Sequence, residues 1–236
     1  RLKRQLDHAL DALVQFFDSC RAIIKCCFVG SAFDKHTKAI RRFNDVINDL
    51  TDRLSHSVNK IKHEQRALQI IYFHNPGVFI PGYFIEGVVD TGVAGPDPTI
   101  HKNSNSAFSL HRDIPIFICA IYLASAALAQ EVRQATKLSP VDLGDERGKQ
   151  DENISRVLKK ASLLPLTFFL DEVAMPVPLV RYREHTAVAP SMAELEFPAA
   201  RHKAKSIITD CQVSTSWTVR SVARSFKMPY FKGASE

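Results

Sequence analysis

The side chains best suited to chemistry in this sequence are cations on either side of a short break in the chain. The six are Arg21, Lys25, Lys35, Lys38, Arg41 and Arg42. Helix N-termini favour anions, and each Lys or Arg near an anionic membrane contributes about 1 kcal/mol, so this set could bind phosphate headgroups. An ordinary solvated helix end explains the same residues, because aspartates are mixed among them, and both interpretations stay open.

Cys26 is a second candidate for chemistry. It lies beside Lys25 and close to Phe28, and basic and apolar flanks of this kind suit S-palmitoylation of an exposed thiol. Cys20 and Cys27 are interpreted instead as small buried apolar residues. The five cysteines are an odd number and two of them are adjacent, so a disulfide framework is disfavoured and a reducing compartment is indicated.

No motif for catalysis, metal binding or nucleotide binding is evident. The nine histidines form no HExxH or Cys-His pattern at ligand spacing. Asp171-Glu172 is the adjacent carboxylate pair that lies within an apolar stretch, but no second group for acid-base catalysis is indicated. The sequence therefore predicts a non-enzymatic protein with no cofactor, no metal and no small-molecule substrate.

Two helices must position the six cations. Between residues 6 and 27 the apolar residues recur in alternating steps of four and three, and a second run over residues 40–61 nearly repeats the rhythm. These patterns predict helices over about residues 2–28 and from the break to about residue 72. Together they form a long antiparallel hairpin, and its core positions are Leu6, Leu10, Leu13, Phe17, Cys20, Ile24, Ile40, Phe43, Ile47, Leu50 and Leu54.

The rest of the chain is predicted in two parts. Residues 73–113 are expected to be a turn-rich linker, with a short β-hairpin around Pro81-Gly82 as one option. Residues 114–236 are expected to hold an apolar helix from about residue 114 and an irregular C-terminal region with a few short strands. That helix falls short of a membrane span and is interpreted as a core helix. The predicted fold class is mainly α.

Length and charge restrict the function classes further. The chain has 236 residues, of which 45% are hydrophobic, enough for one sizeable domain or two small ones. The net charge is +6, and about +5 of it lies in residues 1–70. The hairpin is therefore the basic part, which suits an anionic membrane or nucleic acid as well as solvent.

Residues 23–54 resemble the last two helices of the HeLo and MLKL-type N-terminal bundle. The resemblance lies in a basic and aromatic helix end, a Ser-containing break, Asp34-Lys35, and a helix with Asn44 followed by spaced aliphatic residues. It covers about residues 1–65. It implies a helical bundle of the kind found in fungal death and innate-immunity signalling proteins, which oligomerise and disturb anionic membranes or act as adaptors.

The predicted function is a non-enzymatic signalling or adaptor module. It would act in the cytoplasm by helical self-association or by binding another helical protein, with an anionic membrane surface as a further option. One alternative is a structural scaffold that uses the hairpin as a coiled-coil surface for binding proteins. The other is a basic nucleic-acid-associated protein, for which binding should weaken steeply with salt.

Overall fold

The computed structural model of the protein describes residues 1–28, 33–75, 78–101, 106–136, 152–173, 175, 177–183, 192–196, 212–215 and 225–230. Within these residues the helices are α1 (Leu2–Cys27), α2 (Phe33–His63), α3 (Leu110–Thr136) and α4 (Glu152–Ser162), with a 3₁₀ turn at Leu170–Glu172. The strands are β1 (Leu68–Asn75), β2 (Val78–Asp90), β3 (Val93–Pro96), β4 (Phe108–Ser109), β5 (Leu179–Arg183), β6 (Met192–Glu196), β7 (Gln212–Thr215) and β8 (Ser225–Phe226).

The predicted mainly α class is wrong, because a six-stranded sheet forms the centre of the fold. Its strand order is β7-β1-β2-β3-β8, and β4 also pairs with β2. The pairs are antiparallel except for β3 with β8, which is parallel. Strands β5 and β6 form a separate antiparallel pair. The protein is therefore a mixed α/β structure.

Helices α1 and α2 lie antiparallel, but they do not stand apart as a hairpin. Arg21 Nε donates to Asn44 Oδ1 at 2.9 Å near one end of the pair, and Lys62 forms an ion pair with Asp11 near the other. Helix α3 packs against both, and the sheet covers the remainder of their apolar stripes. The stripes thus bury their area in one shared core, which an isolated helix pair could not do.

Strand β1 begins where the second helix was predicted to continue. Helix α2 ends at His63, and Gln65 then takes a positive φ of 55°, which breaks the helical path. The apolar run from Ile70 to Phe73 extends the helical spacing, but its β-branched and aromatic residues favour a strand. Leu68 and Ile70 face the helices while Ile71 and Phe73 face a second cluster, as the period of two requires.

The predicted turn at Pro81-Gly82 is also wrong. Both residues lie inside β2, where Pro81 pairs with Tyr72 and Gly82 with Ile71, and the strands reverse between Asn75 and Val78. Glycine is needed at position 82 because of close packing. A Cβ atom there would lie 2.5 Å from the ring of Phe169 and 2.7 Å from the carbonyl oxygen of Phe108.

The predicted linker over residues 73–113 instead carries the polar partners of the sheet. His101 is buried, and its Nε2 accepts a hydrogen bond from the Ile85 N–H at 3.1 Å. The Asp97 N–H donates to the Ile85 carbonyl at 2.8 Å, and Asp97 Oδ1 accepts from the Thr99 N–H at 2.9 Å. The composition suggested exposed residues, whereas these side chains satisfy buried backbone groups.

Helix α3 has the length and apolar composition of a membrane-crossing helix, with a mean hydropathy of 1.6 over its most apolar window. A core helix of a soluble protein can have the same length and composition, and 50% of the most apolar stretch of α3 is buried inside the protein. The arrangement is compatible with a soluble fold. Ile121, Tyr122 and Ser125 of α3 are exposed and lie beside α4.

Part of the predicted irregular C-terminal region is ordered around the sheet. Strand β7 adds to β1, with Ile71 opposite Thr215, and β8 adds to β3. Helix α4 packs on β5 and α3, where Leu158 and Ala161 are buried with Ile118. The alternating strand predicted near the C-terminus is represented by Gln212–Thr215, while its outer residues Cys211, Trp217 and Val219 lie outside the described residues.

Candidate functional site

Two of the six predicted cations are engaged inside the helical layer. Arg42 donates to both carboxylate oxygens of Glu131, from Nε at 2.8 Å and from a terminal nitrogen at 2.5 Å. Arg21 donates to Asn44 and, at 2.9 Å, to Asp18. The contacts with Asn44 and Glu131 link neighbouring helices, so Arg21 and Arg42 act first as structural residues.

The other four cations are exposed at the end of the molecule where α1 finishes and α2 starts. They are Lys25, Lys35, Lys38 and Arg41. Within the described residues none of these four forms an ion pair. Cys26 is exposed beside Lys25, and the thiols of Cys20, Cys27 and Cys119 are also free. The predicted basic end therefore has four available cations rather than six, and these four are exposed.

The predicted core residues of α1 and α2 line the shared interior. Leu6, Leu10, Leu13, Phe17, Cys20 and Ile24 of α1 are all buried, as are Phe43, Ile47 and Leu54 of α2, whereas Ile40 is half-buried. The side chain of Leu50 lies outside the described residues. Burial of the Cys20 thiol raises its pKa, in keeping with a packing role.

A buried polar cluster joins α3 to the 3₁₀ turn. Glu172, with 1% of its surface exposed, accepts hydrogen bonds from the Ser109 N–H at 3.1 Å and from Arg112 at 3.2 Å. Asp113 is fully buried and accepts from the Tyr83 hydroxyl at 2.7 Å. Burial, and then the nearby Asp113 carboxylate, raise the pKa of Glu172, while Arg112 opposes that rise.

This cluster is enclosed rather than open to a substrate. Beside it, the Tyr230 hydroxyl donates to Asp171 at 2.5 Å, and its ring lies 4.8 Å from that of Phe169. The carboxylate pair Asp171-Glu172 therefore anchors the C-terminal segment and α3 to the turn. Sequence inspection noticed the pair but had no signal for its partners, which come from residues about 60 positions away.

A small cavity of about 270 Å³ lies between α3, α4 and β5. His111 lines it and is held by Thr167, whose hydroxyl oxygen lies 3.0 Å from His111 Nδ1. Burial lowers the pKa of His111, so the imidazole stays neutral near pH 7. The other lining residues are mostly aliphatic, so the cavity offers one positioned imidazole and no acid-base partner.

An open apolar groove is formed by α1, α3 and α4 together. It consists of two adjoining cavities of about 420 and 530 Å³ that share Ile118, Ile121 and Val157. Alanines and aromatic residues of α1 form one wall, and the start of α4 forms the other. The remaining lining residues are Ala9, Ala12, Leu13, Phe16, Ile114, Phe117, Tyr122, Ser125, Asn153, Ile154 and Leu158.

A second stripe on α1 includes the groove residues Ala9, Ala12 and Phe16. Its members recur in steps of four and three, as those of the buried stripe do, and they are Gln5, Ala9, Ala12, Phe16, Ser19 and Ile23. All are exposed except the half-buried Phe16, and none carries a charge. Sequence reasoning missed this stripe because alanine, serine and glutamine are only weakly apolar. Its spacing was the available signal.

Helix α4 presents large apolar side chains to the same groove. Ile154 is 47% exposed and Val157 is 54% exposed, while Ile121 and Tyr122 of α3 beside them are 38% and 41% exposed. Among the residues that the structure describes, no charged side chain lines either cavity. Charge depletion with exposed apolar and aromatic residues is the composition of an interface centre rather than of ordinary surface.

No group of three His, Cys, Asp or Glu side chains that could hold a metal ion occurs in the described part of the chain. The chain matches no protein-family model, no curated protein and no solved structure. The resemblance of α1 and α2 to a HeLo-type bundle stays a prediction. The groove is therefore the best-supported candidate site, on its geometry and composition.

Proposed function

We propose that the protein is a non-enzymatic adaptor module that binds a helix of a second molecule in the groove between α1 and α4. The observation that carries this proposal is the continuous uncharged surface over Ile118, Ile121 and Val157. An exposed apolar patch rimmed by polar residues is typical of a docking site.

The arrangement of the three helices leaves a place for a fourth helix. Two helices flank a floor made by the third, so an inserted helix would complete a bundle above α3. Amphipathic helices dock in such grooves through residues spaced three and four apart. The alanines Ala9 and Ala12 leave room for the larger side chains of an incoming helix, as small residues do at close helix contacts.

Binding of a designed amphipathic peptide tests this proposal. The probe has about 21 residues, roughly six helical turns, with leucines on one face and Gln and Ser on the other. Val157→Glu should abolish binding, because the bound peptide would cover a carboxylate that must then lose its water. Val46→Glu is the matched control, since Val46 lies on α2 and is 47% exposed. Equal affinities for the two variants would refute the groove as the binding site.

A second function is supported by the basic end. The four exposed cations Lys25, Lys35, Lys38 and Arg41 together would attract an anionic membrane by a few kcal/mol. The full-length protein should then bind vesicles of phosphatidylserine and phosphatidylcholine at low salt, and not vesicles of phosphatidylcholine alone. Lys38→Glu with Arg41→Glu should weaken this binding, while persistence of binding in that variant would remove the basic end from consideration.

A further inference from the structure

We infer that the helix bound in the groove comes from a different protein and is acidic along its edges. This inference rests on the proposed function, and it names the chemistry of the partner. The described residues that line the groove are uncharged. The charged residues at the rims of its walls therefore determine which charges favour binding when they flank the apolar face of the partner helix. Those walls carry Arg156 and Lys160 on the α4 side and Arg4 on the α1 side.

The positive charge is clearer on the α4 wall than on the α1 wall. Arg156 and Lys160 are exposed, and each lies one helical turn from a groove residue, Arg156 from Asn153 and Lys160 from Val157. The Arg156 guanidinium donates to Asn153 Oδ1 at 2.9 Å, which places its charge directly at the rim. Lys159 beside Lys160 is exposed as well. Glu152, in the first turn of α4, is the opposing charge, so the helix carries an excess of cations.

The α1 wall has the same sign. Arg4 donates to His8 at 3.3 Å, and both side chains are exposed near the groove residues Ala9 and Ala12. Asp11, next to Ala12 in the sequence, forms an ion pair with Lys62 of α2. A partner helix lying between these walls would therefore meet cations on both edges.

A second copy of the chain fits this surface poorly. A two-fold interface places the same patch of both copies face to face. Each rim would then face a rim of the other copy. Since the α1 rim carries Arg4 and the α4 rim carries Arg156 and Lys160, cations would meet cations in either arrangement, which disfavours the pairing. An amphipathic helix with Glu or Asp flanking its apolar face would meet complementary charge instead, which also accelerates its association at low salt.

Two designed peptides with one apolar face separate these possibilities. Both have about 21 residues and the same leucine pattern, but one carries Glu and the other Lys at the flanking positions. Fluorescence anisotropy with the full-length protein should give an affinity about fivefold to tenfold higher for the Glu peptide at low salt, a difference that shrinks as salt is added. Arg156→Glu combined with Lys160→Glu should reverse the preference without unfolding the protein, because both side chains are exposed.

The other possible results of these binding experiments each refute either the acidic partner or the groove as its binding site. If both peptides bind equally well and Val157→Glu abolishes both, the acidic partner is refuted and the groove function stands. If light scattering finds a wild-type dimer that Val157→Glu converts to a monomer, the occupant is a second copy. If vesicle binding is lost in Val157→Glu, the occupant is a membrane. If neither peptide binds and Val157→Glu changes nothing, the proposed function fails together with the inference.

Discussion

Arg42 of α2 and Glu131 of α3 form a two-pronged hydrogen bond across the helical layer, with distances of 2.8 and 2.5 Å. The side chain of Glu131 is 4% exposed, whereas that of Arg42 is 49% exposed. The arginine therefore covers a nearly buried carboxylate from the solvent side. Sequence reasoning placed Arg42 in a patch for binding phosphate, yet its first role is to neutralise Glu131.

Removal of Arg42 should destabilise the fold. Arg42→Ala leaves the Glu131 carboxylate desolvated without its strongest partner, at a cost of about 1 to 3 kcal/mol in the free energy of unfolding. Arg41→Ala, the exposed neighbour, should change stability by about 0.5 kcal/mol or less. Urea denaturation of both variants measures the difference. Equal stabilities for the two variants would show that the Arg42 pair contributes little.

Gly82→Ala should also destabilise the protein, because its new methyl group would overlap the ring of Phe169. The expected cost is about 1 to 3 kcal/mol, as for other overpacked cores. Phe169→Leu shortens the opposing side chain, so Gly82→Ala should cost less in that background. A double-mutant cycle by urea denaturation gives the coupling. Additive effects would argue against this contact as the reason for glycine.

Burial of the His111 imidazole predicts a specific dependence of stability on pH. Burial lowers the pKa of His111 in the folded protein below its ordinary value of about 6.5. At a pH just below 6.5, His111 is therefore protonated in the unfolded chain but still neutral in the folded protein. Stability is therefore lost as the pH falls from about 7 towards 5. His111→Gln should have a flatter profile over that window. Parallel profiles for wild type and variant, from thermal unfolding at several pH values, would contradict this assignment.

The helices could be located from the sequence, but the sheet could not. The alternation of three- and four-residue steps marks α1 because no Gly or Pro interrupts it between Leu2 and Cys27. The same apolar signal continues through Ile70 and Phe73, where pairing with β2 determines the conformation. Strand pairing depends on residues distant in sequence, which periodicity within one segment does not reveal.

The candidate site was still less accessible to sequence reasoning. The stripe containing Ala9, Ala12 and Phe16 looks unremarkable until α3 and α4 are placed beside it. The exposed residue Val157 of α4 likewise has no meaning by itself, since single exposed apolar residues are normal. Both become informative only when the fold joins them in one groove. The basic turn, which the sequence did reveal, loses Arg21 and Arg42 to internal contacts.

Methyl NMR of the isoleucines tests the central claim most directly, because the groove and the sheet each contain several. Addition of the amphipathic peptide should shift the methyl signals of Ile118, Ile121 and Ile154, and leave those of Ile71 and Ile80 on the far face of the sheet unchanged. Val157→Glu should remove the shifts. Shifts spread evenly over both sets, or confined to the sheet, would contradict a helix-binding groove between α1 and α4.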